Sequence, residues 1–180
     1  QRGSPRAAFV FLGLTILAFF YQSIGTGYIF SGTSSASGTI FSAIISVVMP
    51  VMLFVVANWC LTTLLEGEGS FRDVFVATCY GIAPLPLLII LSTAVSNSLT
   101  ANESAVITLI NTIAFIWVGI LLFFGVMVTH GYSFGKNVAT ILFTIIAMAF
   151  IMFLAVLFSS LMTKIVSFVY SIAEEINYRI

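Results

Sequence analysis

The placement of the charged residues constrains this chain more than any other feature of its sequence. Six basic and six acidic residues occur among 180, and they leave four uncharged, mainly apolar runs at 7–65, 74–102, 104–135 and 137–163. A helix needs about 20 apolar residues to cross the ~30 Å hydrocarbon core of a bilayer, so each run is long enough. A soluble domain could not cover its surface with 7% charged residues. The pattern therefore predicts an integral membrane protein.

The first run is too long for one span and has to fold back on itself. A polar Gly/Ser cluster at 31–38 is the evident turn. The sequence thus predicts an all-α membrane protein, a bundle of five transmembrane helices joined by short connections between antiparallel neighbours. The expected spans are 7–30, 39–65, 74–96, 104–129 and 138–161.

Proline residues interrupt two of these spans. Pro50 lies near the middle of the second, and Pro84 and Pro86 lie one residue apart in the third. Proline cannot donate the backbone hydrogen bond of a helix and clashes with the preceding turn. We therefore expect a kink in the second span and a bend or a local unwinding in the third.

The chain after the fifth span has a pattern of its own. Apolar residues between Ile165 and Ile176 recur on one helical face, and polar residues such as Lys164 and Glu174 fall near the other. This predicts an amphipathic C-terminal helix at 164–180, distinct from a membrane domain at 1–163. Two arrangements stay open: the helix lies flat in the interface, or it continues the fifth span.

The composition argues against several classes of function. With a net charge of zero and no basic patch, the chain offers nucleic acid no electrostatic binding surface. Proton- and ion-coupled carriers usually keep a charged residue at membrane depth, and the spans contain none. His130 is interpreted as an interfacial polar residue, and Cys60 and Cys79 as thiols that pack in the core. We expect no catalytic group, no metal site and no cofactor.

One loop, at 66–73, carries the only charge cluster between spans. Ser70 followed by Asp73 is typical of a helix capping box, and Gly67 and Gly69 permit a tight reversal. A structural turn accounts for these features. The alternatives are a weakly indicated cation site and a partner-binding loop. The candidate partner-binding residues are Glu66, Glu68, Arg72 and Asp73.

Four residues within the spans are candidate intramembrane polar contacts: Asn58, Asn111, Tyr80 and Pro84. Amide side chains in membranes more often hydrogen-bond across helices than bind a substrate. We therefore expect the two asparagines to hold helices together.

The region around this loop resembles a known family. The stretch 58–84 has a span that ends in an acidic, glycine-containing loop, then Ser70-Phe71-Arg72, then Tyr80 and Pro84 in the third span. Together with 21–30, it resembles the bacterial branch of the Yip1 domain family. The resemblance implies five membrane helices with a cytoplasmic N-terminus and no enzymatic activity. Eukaryotic members are linked to trafficking and to binding of prenylated GTPases, but the family's Asp-Leu-Tyr-Gly-Pro motif is absent from this sequence.

Two hypotheses for the function follow. The first is a non-enzymatic membrane scaffold or adaptor in trafficking- or transport-related processes, which contacts the lipid bilayer and binds protein partners at the cytoplasmic face. The second is a transporter component for a small solute or lipid, with a pathway lined by the proline-broken second and third spans. Neither involves nucleic acid, and the sequence allows a homo-oligomer. The chain begins at Gln1 instead of Met, so we expect a fragment of a longer protein.

The distribution of basic residues predicts the orientation in the membrane. With the N-terminus inside, Arg2, Arg6, Arg72 and Lys136 all lie on the cytoplasmic side, where Lys and Arg accumulate. Five spans then place the C-terminus outside. The expected location is a bacterial plasma membrane.

This orientation is testable by site-directed labelling. A cysteine placed at Ser35 should react with a membrane-impermeant thiol reagent added outside intact cells, because 31–38 is expected to face out. Labelling of the same cysteine only from the cytoplasm would contradict the orientation.

Overall fold

The computed structural model describes residues 3–26, 40–62, 65, 67–99 and 103–179. All regular elements in these ranges are helices. They are α1 (Pro5–Gly25), α2 (Ile40–Thr62), α3 (Phe71–Gly81), α4 (Leu85–Ser96), α5 (Ser104–His130) and α6 (Phe134–Arg179). In the described chain, five helical segments are long and apolar enough to cross a membrane, with α3 and α4 together counting as one. The predicted five-span architecture is confirmed.

The third span begins earlier than predicted and is broken where prolines were expected to break it. It starts at Phe71 and not at Val74, because Ser70 and Asp73 cap the helix at that point. It is interrupted at residues 82–84, and Pro84 is the N-cap of α4. Pro50, by contrast, lies inside a continuous α2.

The fifth span is much longer than predicted. The expected range was 138–161, whereas α6 runs through 46 residues from Phe134 to Arg179. At ~1.5 Å per residue this is roughly 70 Å, more than twice the hydrocarbon thickness of a bilayer. No glycine or proline occurs after Gly135 to end the helix. The residues after 163 therefore continue α6, the second of the two arrangements that the sequence left open.

The helices pack around a small apolar core. α1 contacts α2, α3 and α4, whereas α5 contacts α3 and α4, and α6 packs on α2 and more lightly on α5. Val55, Val74, Ile82, Leu85 and Ala114 are among the buried residues of the core. Large apolar side chains cover much of the outside of the bundle, as expected where lipid and not water surrounds the protein.

Candidate functional site

Residues 67–69, in the connection between α2 and α3, lie directly against the end of α5. The Gly67 N–H donates to the Thr62 carbonyl (3.0 Å), and the Gly69 N–H donates to Nδ1 of His130 (3.2 Å). A Cβ atom on Gly69 would lie 2.5 Å from Cε1 of the His130 ring, and one on Gly67 would clash with the Tyr132 hydroxyl. Glycine is required at both positions because the loop backbone approaches these rings so closely.

His130 connects this loop to the interior of the bundle. Its side chain is 2% exposed and lies at the end of α5, so this polar residue is buried among protein atoms. Because Nδ1 accepts from the Gly69 N–H, the neutral ring carries its proton on Nε2, which donates to Oδ1 of Asn58 (3.1 Å). Both ring nitrogens are therefore engaged in structural hydrogen bonds.

Asn58 extends these hydrogen bonds to α6. Its side chain is fully buried, and Nδ2 donates to the Thr144 hydroxyl (3.1 Å), which in turn donates to the Thr140 carbonyl (2.8 Å). We call this chain of hydrogen bonds, from Gly69 through His130 and Asn58 to Thr144, the polar relay. It joins the loop, α5, α2 and α6, and it satisfies each buried polar side chain within it.

The turn between α5 and α6 also contacts the His130 ring. Gly131 adopts a left-handed conformation (φ 65°), and the Tyr132 N–H closes the helix on the Met127 carbonyl (3.1 Å). The Tyr132 ring stacks on His130 with centroids 5.1 Å apart, and Nζ of Lys136 lies 4.8 Å from the Tyr132 centroid. Burial raises the pKa of Tyr132, so its hydroxyl stays neutral at physiological pH.

The remainder of the loop forms the start of α3. Ser70 and Asp73 make the predicted capping box, in which each backbone N–H donates to the other residue's side chain at 3.3 Å. Beside this cap the Phe71 ring meets the edge of Trp59 at 5.8 Å, and both rings are partly exposed. Glu68 and Arg72 are exposed on the same segment.

Not all predicted site residues lie near the loop and the His130 ring. Glu66 lies outside the described residues. Asn111 is half-buried on α5, about 28 Å along the helix from His130 at ~1.5 Å per residue, and it takes no part in the polar relay. Tyr80 packs edge-on against Phe11 at 5.2 Å, and Pro84 begins α4.

The residues that sequence reasoning missed lie on α6. Asn137, Thr140 and Thr144 are fully buried and form one stripe of the helix. Their spacing of three and four residues within an otherwise apolar run is the signal that indicates this stripe, because residues so spaced share one helical face. Asn137 donates from Nδ2 to the Phe123 carbonyl on α5 (2.9 Å).

The polar relay makes a specific prediction about stability. Asn58→Leu leaves the buried His130 Nε2–H without an acceptor and removes the hydrogen bond to the Thr144 hydroxyl, so it should lower the free energy of unfolding by about 1–3 kcal/mol. Asn111→Leu is the matched control and should change it by less than about 0.5 kcal/mol. Detergent-induced unfolding, followed by circular dichroism, measures both. Equal losses in the two variants would contradict the assigned role of Asn58.

Comparison with known proteins gives the chain its family. Searches among curated proteins and among solved structures found no significant match. The family model of the Yip1 domain matches residues 1–158, which include α1 to α5 and the part of α6 that packs on the bundle. With this match over most of its length and five apolar helices long enough to span a bilayer, the chain belongs to the Yip1 domain family of integral membrane proteins.

Proposed function

We propose that this protein is a non-enzymatic membrane scaffold that docks a protein partner on the loop between α2 and α3. The docking surface consists of Trp59, Glu68, Phe71 and Arg72. The observation that carries the proposal is the hydrogen bond from the Gly69 N–H to the buried His130 ring, which fixes the loop to the bundle. A loop held in one shape loses little conformational freedom when a partner binds, which favours affinity.

The composition of the docking surface supports protein binding. Tryptophan and arginine are enriched among the residues that contribute most to protein–protein affinity. Trp59 is 41% exposed and Phe71 is 38% exposed, and their rings pack against each other. Glu68 and Arg72, which are close to Phe71 in sequence, are exposed as well. Aromatic groups near charges of both signs give a partner an apolar contact area together with charged groups that fix its orientation.

The chemistry of the site supports a role without catalysis. His130 holds the loop with one ring nitrogen and Asn58 with the other, so proton transfer to a substrate would require breaking a buried hydrogen bond. The Cys79 thiol is buried beside Ala8 and Val76, as predicted. Cys60 is exposed, so the prediction that it packs in the core is wrong.

We place the docking surface on the cytoplasmic face. Arg6 lies near the start of α1, Arg72 near the start of α3 and Lys136 near the start of α6. Contacts of Gly3 with Val76 on α3, and of Lys136 with Tyr132 beside the loop, bring these helix starts to one end of the bundle. Accumulation of Lys and Arg at one end favours a cytoplasmic location for it.

Photocrosslinking tests this proposal. Benzoylphenylalanine at Phe71 should capture a protein in intact cells, and Gly69→Ala should reduce the capture several-fold, because its Cβ would lie 2.6 Å from Nδ1 of His130 and displace the loop. Gly135→Ala is the control, since a Cβ there meets nothing within 4 Å. The captured protein is then identified, purified and tested for weaker binding to Arg72→Ala.

Two results would contradict the scaffold role. One is the absence of any captured protein from Phe71. The other is a capture that Gly69→Ala leaves unchanged, because binding would then not depend on the shape that the loop has in this structure.

A second function is supported by one observation. An apolar cavity of about 270 Å³ lies beside Pro50 and Ile82, where α2 carries its proline and where α3 ends. A small apolar solute or a lipid chain could pass there. Uptake into proteoliposomes that Ser46→Phe, at the cavity wall, abolishes would favour this transporter function over the scaffold.

A further inference from the structure

A groove between α3 and α5 opens sideways toward the bilayer. Its volume is about 650 Å³, within the range of small-ligand sites. One wall is a stripe of α3 and the other a stripe of α5, each with residues three or four positions apart. The wall residues include Val76, Ala77 and Tyr80 on α3 and Leu121, Phe124 and Val128 on α5.

A glycine keeps the groove open. A Cβ atom on Gly125 would lie 3.7 Å from the Ala77 carbonyl oxygen, which is ordinary contact, so a longer side chain would extend into the groove. The wall beside it faces outward, since Val128 is 77% exposed and Phe124 is 48% exposed. In a membrane such a surface contacts acyl chains and not water.

The charged side chains of the groove lie at one end. Glu68 and Asp73 line it there, next to the loop, and uncharged, mainly apolar residues line it from Val76 to Gly81. From Asp73 to Gly81 α3 rises about 12 Å at ~1.5 Å per residue, which is close to half of the ~30 Å hydrocarbon core. The carboxylates thus stand at headgroup level and the apolar part runs through one leaflet.

We propose that this groove binds one acyl chain of a membrane lipid whose headgroup carries a protonated amine. The chain lies between α3 and α5 along Ala77 and Gly125, and the amine donates a charge-assisted hydrogen bond to the exposed carboxylate of Glu68, with the carboxylate of Asp73, which caps α3, adding negative charge beside it. Charge complementarity selects this class of lipid, because the charged side chains that line the groove are the carboxylates of Glu68 and Asp73, which attract an ammonium group and repel an anionic headgroup. Arg6, Arg72 and Lys136 lie at the same end of the bundle but are not among the residues that line the groove.

The lipid site goes beyond the partner docking proposed above. Glu68 belongs to both, but Gly125 and Ala77 lie in the groove alone and take no part in the docking surface. A change at Gly125 therefore tests the lipid site while the loop and its partner contacts stay intact.

Native mass spectrometry of the protein released from nanodiscs tests the site. The nanodiscs contain equal amounts of phosphatidylethanolamine and phosphatidylglycerol. The intact protein should retain phosphatidylethanolamine about fivefold over phosphatidylglycerol. Gly125→Leu should lower this retention about fivefold by filling the groove. Gly119→Leu, on the same helix but with nothing within 4 Å of its Cβ, should not change it.

A second pair of variants distinguishes recognition of the lipid headgroup from binding of the acyl chain. Glu68→Gln should reduce the preference for phosphatidylethanolamine and leave the total number of retained lipids unchanged, whereas Glu174→Gln, an exposed carboxylate far along α6, should alter neither. Equal retention of the two lipids by the unaltered protein would overturn the proposal. So would a Gly125→Leu protein that retains as much phosphatidylethanolamine as the Gly119→Leu control.

Discussion

The arrangement of this protein depends on one hydrogen-bonded ring, His130, at the point where a loop meets three helices. A polar group buried away from water costs free energy unless it forms a hydrogen bond within the protein. His130 accepts from the Gly69 N–H and donates to Asn58, which in turn donates to Thr144 on α6. These bonds hold Gly69 on the His130 ring and link α2 to α6, beside the surface that we propose for docking.

This constraint explains why the 67–73 segment has its composition. Glycine at 67 and 69 lets the backbone lie on the His130 and Tyr132 rings, and the Ser70–Asp73 cap starts α3 immediately afterwards. Glu68 and Arg72 are therefore exposed beside a backbone that is held on the His130 ring at Gly69. We propose this exposed segment as the place where a partner is recognised.

Much of the architecture is predictable from residue spacing, because span length and the absence of charge are strong constraints in a bilayer. The five spans, the capping box and the break before Pro84 are of this kind. The length of α6 is not, since a change from lipid to water along the chain does not require a helix to end. The pairing of Asn58 with His130 is also not predictable, because the two lie 72 residues apart and are brought together by the packing of α2 and α5 on α3 and α6.

The account is tested most directly by the state of the His130 ring. It is the only histidine in the chain, so ¹⁵N-histidine labelling of the full protein gives one pair of ring signals without assignment. At neutral pH the account predicts a neutral ring with its proton on Nε2 and an unprotonated, hydrogen-bonded Nδ1, and it predicts that Asn58→Leu shifts the Nε2 signal. A ring protonated on Nδ1, or one whose signals do not respond to Asn58→Leu, would contradict it.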